Sequence, residues 1–130
     1  MIILAASALV DELLGLPHKA WVLEQISEQE IFAPAHQGVE VLSAVCRLQR
    51  SGALTRRQVE EVMVRASRVD QQLVLLAAGH VRRAIALSDR VRVTDGPYIA
   101  LAEERGCPLV TTDRRLVAAR VECEVRTPGG

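Results

Sequence analysis

The order of apolar and polar residues along the chain predicts short strands that alternate with helices. Runs that suit strands lie at 1–5, 31–33, 72–76, 108–112 and 123–126; those at 1–5 and 108–112 are apolar enough to be buried, and the last is predicted to be an edge strand. Helices, several with apolar residues recurring every three or four positions, are predicted at 8–14, 19–29, 37–49, 55–68, 79–88, 98–105 and 114–120. This alternation predicts one α/β domain, a three-layer sandwich in which a short parallel sheet lies between two layers of helices.

Cap and turn residues mark several of the predicted ends. Ser7 is a candidate N-cap for the first helix, which Gly15 ends. Thr55 and Gln58 have the spacing of a capping box, in which each side chain bonds to the other residue's backbone N–H. Residues 127–130 are predicted to be a frayed tail.

Composition narrows the class of protein. The chain has 130 residues, 49% of them apolar, so it is long enough for one buried core and too apolar for a disordered segment. Its three scattered cysteines form neither a disulfide framework nor a zinc spacing, which predicts a reducing, cytosolic location. The apolar stretch at 1–10 is too short to span a membrane. The net charge is zero, so the overall charge gives no indication of a nucleic-acid partner. The sequence contains no glycine-rich phosphate loop and no GxSxG motif.

The stretch 91–116 carries the candidate chemistry, because it places an acid at each end of a helix–turn–strand unit. Asp95 precedes the helix and Asp113 follows the buried strand, at the end of a strand where ligands bind in open α/β sheets. A third acid, Glu40, lies in the first turn of a helix among apolar residues, where an unpaired buried carboxylate is costly. Simpler interpretations remain open: the two aspartates as helix caps, and Glu40 as a solvent-facing residue stabilised by the helix dipole.

The sequences around these acids resemble the motifs of a known family. Glu40 in APAHQGVEVLSAV, Asp95 in TDGPYIALAEERG and Asp113 in PLVTTDRRL resemble three of the four acidic motifs of PIN-domain ribonucleases. Over essentially all 130 residues, the chain resembles the VapC toxins of type II toxin–antitoxin modules. It departs from the family at Gly96-Pro97, where members usually carry helix formers, and at Ala5, which stands where the family has its first acid.

The resemblance implies a PIN fold and an endoribonuclease that cleaves RNA with Mg²⁺ or Mn²⁺. Carboxylates gathered at strand ends repel one another, and a hard divalent cation relieves that repulsion. The implied catalytic and metal-binding residues are Glu40, Asp95 and Asp113, and Ala5 marks the position of a missing ligand. Three hydroxyl residues are implied contacts for phosphate or metal-bound water: Ser7, Thr111 and Thr112.

The resemblance also implies two protein partners, a second copy of the chain and a small DNA-binding antitoxin. An amphipathic helix of the antitoxin would lie in an apolar groove. Candidates for that groove are apolar residues of the first two helices: Leu9, Leu13, Trp21 and Leu23. The implied location is cytoplasmic, with no membrane partner.

Ala5 leaves the activity open. A methyl group cannot bind a metal ion, so the chain is expected to be inactive or impaired as a nuclease. Either a toxic nuclease has been substituted or the protein is a natural pseudo-enzyme, and the intact surroundings of Ala5 favour a recent or deliberate substitution. One rival interpretation is a PIN-fold module that only binds RNA or a protein. Another is a phosphoacceptor receiver domain, which needs paired acids after the first strand and a late lysine, whereas Lys19 is the only lysine.

Overall fold

A computed structural model describes residues 1–129, and an all-parallel sheet of five strands forms their centre. The strands are β1 (Ile2–Leu4), β2 (Ile31–Pro34), β3 (Gln72–Val74), β4 (Leu109–Val110) and β5 (Val125–Arg126). The helices are α1 (Ala6–Leu14), α2 (Lys19–Ile26), α3 (Gln37–Arg50), α4 (Arg56–Ser67), α5 (Ala78–Ala86) and α6 (Gly96–Arg105), followed by a 3-10 helix at Arg114–Ala118. None of the helices within residues 1–129 combines the length and apolar character needed to cross a membrane. The predicted α/β architecture is confirmed.

Strand β1 lies at the centre of the sheet, whose order is β3-β2-β1-β4-β5. In register, Ile3 pairs with Phe32 of β2 on one side and with Leu109 of β4 on the other. The chain builds outward from β1 to β3 and then returns to the opposite side with β4 and β5, so the order reverses between β1 and β4. A reversal of this kind opens a crevice at the carboxyl ends of the strands.

The two faces of the sheet pack against different helices. Successive residues of a strand point to opposite faces. Ile2 and Leu4 belong to a core shared with α1, α2, α3 and α4, whereas Ile3 belongs to a core shared with α6 and with Leu109. All three β1 residues are at most 1% exposed. Burial on both faces explains why β1 is a continuous apolar run rather than an alternating one.

Local signals located several helix ends correctly. Gly15 and Gly106 follow α1 and α6 with φ of 64° and 61°, the left-handed conformation that glycine adopts without steric cost. The Thr55–Gln58 capping box forms in both directions, with N–H to side-chain oxygen distances of 2.8 and 3.1 Å. These signals depend on residues close in sequence, which is why they could be found without the fold.

Three predictions of local structure need correction. Ser7 does not cap α1, because the helix already begins at Ala6, and the Ser7 hydroxyl bonds across the fold instead. Helix α2 ends at Ile26 rather than at 29. In the predicted frayed tail, Thr127 and Pro128 are buried, and Gly130 lies outside the described residues.

Helices α5 and α6 approach closely and are joined by an ion pair. A Cβ atom at Gly96, the first residue of α6, would lie 2.6 Å from the Cβ and 2.8 Å from the Cα of Ala84 in α5. Farther along, the guanidinium of Arg83 donates two hydrogen bonds to the Glu103 carboxylate, at 2.8 and 3.0 Å. The position of α6, and of the residues at its start, therefore depends on its contact with α5.

Candidate active site

A cavity of about 40 Å³ lies at the carboxyl edge of the sheet, where the strand order reverses. Its lining residues are Ala5, Ala6, Ser7, Glu40, Arg92, Asp95, Tyr98, Thr111 and Asp113. The structure thus brings the three candidate acids together with Ala5, and places Ser7 and Thr111 beside them. Of the candidate hydroxyl residues, Thr112 alone does not line the cavity. A cavity of this size has room for a small ion or a few water molecules, but not for a nucleotide.

Glu40 turns into this cavity rather than toward solvent. Its side chain, in the first turn of α3, is 21% exposed. The Tyr98 hydroxyl donates a 2.7 Å hydrogen bond to Glu40 Oε1, and His36 Nε2 lies 3.3 Å from the same oxygen. Burial favours the neutral acid, but the hydrogen bonds from His36 and Tyr98 outweigh it and hold the pKa of Glu40 below its ordinary value. Glu40 is therefore ionised at neutral pH.

His36 and Tyr98 are in turn tuned by Glu40. The hydrogen bond to Glu40 raises the pKa of His36, whose Nε2 also lies 2.9 Å from the Thr94 carbonyl oxygen. Burial, together with the bond to Glu40, raises the pKa of Tyr98, so the phenol stays protonated and remains a donor. The two rings lie 5.1 Å apart and pack beside the carboxylate.

Asp95 occupies the N-cap position of α6, but its side chain does not cap the helix. Its two oxygens instead accept hydrogen bonds from Arg92, from Nε at 3.1 Å and from Nη2 at 3.4 Å. The same Nη2 lies 3.8 Å from Oδ2 of Asp113. The guanidinium of Arg92 therefore stands between two of the candidate acids.

Asp113 does act as a cap, and it also pairs with an arginine. Its Oδ1 accepts from the backbone N–H of Arg115 at 3.0 Å, which caps the 3-10 helix. The guanidinium of Arg115 reaches both carboxylate oxygens, at 2.9 and 2.7 Å. These hydrogen bonds from Arg115 hold the pKa of Asp113 below its ordinary value. The cap interpretation is correct for one oxygen, but it does not account for the position of Asp113 in the cavity.

The hydroxyls of Ser7 and Thr111, together with the backbone N–H groups of Thr112 and Asp113, form a network that ties the start of α1 to the end of β4. Ser7 Oγ lies 3.0 Å from Thr111 Oγ1 and accepts the backbone N–H of Thr112 at 3.2 Å. Thr111 Oγ1 also accepts the N–H of Asp113 at 3.0 Å. The network crosses the point where β1 and β4 diverge, so it fixes the backbone that carries Asp113 relative to β1.

A larger cleft of about 520 Å³ opens beside the small cavity. Four residues line both spaces: Ala6, Ser7, Glu40 and Arg92. The cleft also carries Ser43 and the exposed cation Arg47 on α3, and Thr94 from the turn before α6. Clefts of this volume accommodate ligands of nucleotide size. A guanidinium suits the recognition of a phosphate oxygen.

The carboxylates do not form a metal site as they stand. Within residues 1–129, no group of three or more histidine, cysteine, aspartate or glutamate side chains is placed to hold a metal ion. Ala5 presents only a methyl group. The remaining acids already accept hydrogen bonds from Tyr98, Arg92 and Arg115. The donor set therefore does not fit the Mg²⁺ or Mn²⁺ that the family resemblance implies.

Sequence reasoning missed four residues that shape the cavity: His36, Gln37, Arg92 and Tyr98. Gln37 is 2% exposed; its Nε2 donates to the carbonyl of Leu4 at 3.0 Å, which anchors the end of β1 to α3. Two of them had a usable signal: Arg92 stands three residues before Asp95 and His36 four residues before Glu40, spacings at which such side chains meet in a turn or helix. The contacts of Gln37 and Tyr98 cross the fold and leave no mark in the local sequence.

Comparison with known proteins gives one matching family and several relatives. A profile of the PIN domain matches residues 2–122. Ribonuclease VapC3 of Mycobacterium tuberculosis is 38% identical over 122 residues, which cover 91% of this chain and 86% of the relative. Ribonuclease VapC12 of the same organism is 34% identical over 116 residues, which cover 89% of each protein.

Solved structures share the fold at lower sequence identity. A toxin–antitoxin complex from Klebsiella pneumoniae superposes with a TM-score of 0.72 at 15% identity, covering 98% of both chains. VapC20 of Mycobacterium tuberculosis, described as a toxin that cleaves the sarcin-ricin loop, gives 0.70 at 15% identity and covers 93% of this chain and 96% of its own. VapBC2 from Rickettsia felis, bound to a DNA fragment from its promoter, gives 0.68 at 12% identity over 98% of both chains. At these identities the likeness establishes the architecture only.

Proposed function

The chain belongs to the PIN-domain family, and we propose that it is the toxin of a type II toxin–antitoxin module, a VapC-type endoribonuclease by descent. The observation that carries the proposal is the convergence of Glu40, Asp95 and Asp113 with Ala5 in one cavity at the carboxyl edge of the sheet. An acid at position 5 would complete a cluster of four beside a cleft of nucleotide size. The relatives named ribonuclease support the reaction, the hydrolysis of an RNA phosphodiester bond.

With alanine at position 5, we propose that the protein is inactive or impaired. The three remaining acids pair with side chains of the protein itself, and the fourth ligand is missing. Dependence on Mg²⁺ or Mn²⁺ is therefore a property that we propose for the form with aspartate at position 5. In that form Glu40, Asp95 and Asp113 would be the partners of the new carboxylate.

RNA would lie in the cleft beside the acids. Arg47 is the cleft's exposed cation that contacts neither Asp95 nor Asp113, and we propose that it binds a phosphate oxygen of the strand. Tyr98 and His36 keep Glu40 ionised and fixed in position. The hydroxyl network at Ser7 holds the strand ends that frame the site. We propose that the Ser7 hydroxyl, which lines the cleft, contacts the backbone of the bound strand, whereas Thr111 is 1% exposed and would only position Ser7.

We also propose a cognate antitoxin and a second copy of the chain as partners, and a cytoplasmic location. The toxin–antitoxin complexes among the structural neighbours support the first. Leu9 and Leu13, predicted to line an antitoxin groove, are buried in the chain's own core and cannot do so, whereas Leu23 is 43% exposed. Exposed apolar side chains at Leu75 and Val93, beside the cleft, support a protein interface there.

The substitution Ala5→Asp tests the nuclease proposal. Two like charges about 4 Å apart repel by roughly 4 kcal/mol at an effective dielectric near 20, so the added carboxylate should lower the melting temperature in EDTA. Mg²⁺ should then raise the melting temperature by binding the folded state. The purified Ala5→Asp protein, free of antitoxin, should cleave a broad RNA pool in Mg²⁺, and Asp95→Asn in that background should abolish cleavage.

Ala5→Asn is the matched control, because it adds the same volume without the charge. It should give neither Mg²⁺ stabilisation nor cleavage. If Ala5→Asp folds, is free of antitoxin and still cleaves no RNA, the nuclease proposal is wrong.

A second candidate, a PIN-fold module that only binds RNA or a partner, is favoured by the internal pairing of all three acids. Retention of RNA or antitoxin by the unaltered chain, with no gain of cleavage in Ala5→Asp, would support the binding module.

A further inference from the structure

Arg92 is placed where a cation would bridge two of the acids. Its Nε and Nη2 contact both oxygens of Asp95, at 3.1 and 3.4 Å, and Nη2 also lies 3.8 Å from Asp113 Oδ2. The two carboxylate side chains are 12% and 16% exposed, whereas the Arg92 side chain is 58% exposed. The guanidinium therefore covers the acids from the solvent side, and it lines the same 40 Å³ cavity.

The backbone makes this arrangement local. The carbonyl of Arg92 accepts the N–H of Asp95 at 2.9 Å and the N–H of Gly96 at 3.2 Å, in the turn that leads into α6. The turn brings the arginine back over the aspartate three residues later. Because the arginine side chain is largely exposed, a cation of higher charge can displace it, and its contacts with the acids should weaken the binding of that cation only modestly.

We propose that Arg92 is an internal counter-cation that occupies the space between Asp95 and Asp113 and competes there with divalent ions, a role that rests on the proposed function. Ala5 and Arg92 fit together in this role. With one carboxylate fewer, the cavity holds less negative charge, which favours a single positive charge supplied by the chain over a dication taken from water. A divalent ion must displace the Arg92 guanidinium to bind Asp95, and at Asp113 it must also displace Arg115, which contacts both oxygens of that carboxylate.

The inference concerns ion affinity and can be tested with the metal alone, without RNA. Mn²⁺ binding is measured by calorimetry or by electron paramagnetic resonance in three proteins: Ala5→Asp, Ala5→Asp/Arg92→Gln and Ala5→Asp/Arg47→Gln. The Arg47 variant is the matched control, because Arg47 lines the adjoining cleft and contacts neither aspartate. Removing Arg92 should tighten Mn²⁺ binding about tenfold, the effect of losing contacts with two carboxylates. Removing Arg47 should change it no more than about twofold, through long-range screening alone.

Arg92→Lys keeps the charge but loses the two-pronged contact, so its affinity should fall between those of the arginine and glutamine forms. Thermal melts supply the second readout: Arg92→Gln should lower the melting temperature in EDTA and enlarge the shift that Mn²⁺ produces. Equal effects of Arg92→Gln and Arg47→Gln, or no Mn²⁺ binding by any variant, would overturn the inference. Tighter Mn²⁺ binding without RNA cleavage would reject the nuclease proposal and leave the role of Arg92 intact. If Ala5→Asp cleaves RNA but replacing Arg92 changes neither Mn²⁺ binding nor cleavage, the nuclease proposal stands and the inference about Arg92 is wrong.

Discussion

The contact between α5 and α6 at Gly96 predicts that Gly96→Ala destabilises the protein. The new Cβ would lie 2.6 Å from the Cβ and 2.8 Å from the Cα of Ala84, distances that folded proteins essentially never show. The Ala84 backbone cannot give way by a rotamer change, so one helix must move. Overpacking of this kind costs about 1 to 3 kcal/mol. Alanine normally stabilises a helix relative to glycine by roughly 0.5 to 1 kcal/mol, which offsets only part of that cost.

The matched control is Gly79→Ala. Gly79 lies in the first turn of α5, and a Cβ atom there would meet nothing within 4 Å. Its replacement should leave stability unchanged or raise it by up to about 1 kcal/mol. In a domain of this size 1 kcal/mol corresponds to roughly 4 °C in melting temperature, so the two variants should separate by several degrees in calorimetry.

A third variant locates the strain. Gly96→Ala/Ala84→Gly removes the contact between the two Cβ atoms but keeps the approach to the Ala84 Cα, so it should recover only part of the loss. The reasoning is refuted if Gly96→Ala melts at or above the temperature of Gly79→Ala. Because Asp95 immediately precedes Gly96, a displaced α6 should also weaken Mn²⁺ binding in the Ala5→Asp background.

Two further predictions address pH and assembly. Burial raises the pKa of Glu103, but hydrogen bonds from Arg83 and the Glu122 N–H overcome this and lower it below the ordinary 4.5, so the ionised form stabilises the fold. Glu103→Gln should therefore lower the free energy of unfolding in urea by about 1 to 2 kcal/mol at pH 7. The difference from the unaltered protein should shrink as the pH falls through the folded pKa of Glu103. A difference that stays constant down to pH 3 would contradict this. Leu75, with 81% of its surface exposed, should be dispensable for folding. Leu75→Glu should therefore leave the stability of the monomer unchanged. If Leu75 lies in a homodimer interface, the variant should be monomeric in light scattering. An unaltered chain that is already monomeric would reject the homodimer.

The architecture could be predicted because its signals are local. The apolar run of β1, the glycines after α1 and α6, and the capping box before α4 each depend on residues within one element. The ends of strands and helices then singled out Asp113, Asp95 and Glu40, and the family resemblance grouped them into one site. Ser7 was assigned to the wrong role because its local sequence suits a cap, whereas its hydroxyl lies beside Thr111, over one hundred positions away in the chain.

The chemistry of the site could not be predicted to the same depth. Whether three carboxylates face an ion, water or one another depends on which other side chains reach them. Tyr98 donates to Glu40 across 58 positions, and Arg92 bridges two acids only because a turn and the end of β4 meet. The contacts of Tyr98 with Glu40 and of Arg92 with Asp113 are set by the packing of α3, α6 and β4, and no periodicity or spacing reports them.

The two outer strands restrict how any partner can attach. Strand β3 has three residues and β5 has two, so each border of the sheet offers only a few backbone groups for pairing with another chain. A peptide that extended the sheet would gain very few main-chain hydrogen bonds, and borders this short protect parallel sheets from uncontrolled association. A second polypeptide would therefore be recognised mainly through side chains on helices and loops, whose sequence can change without altering the core.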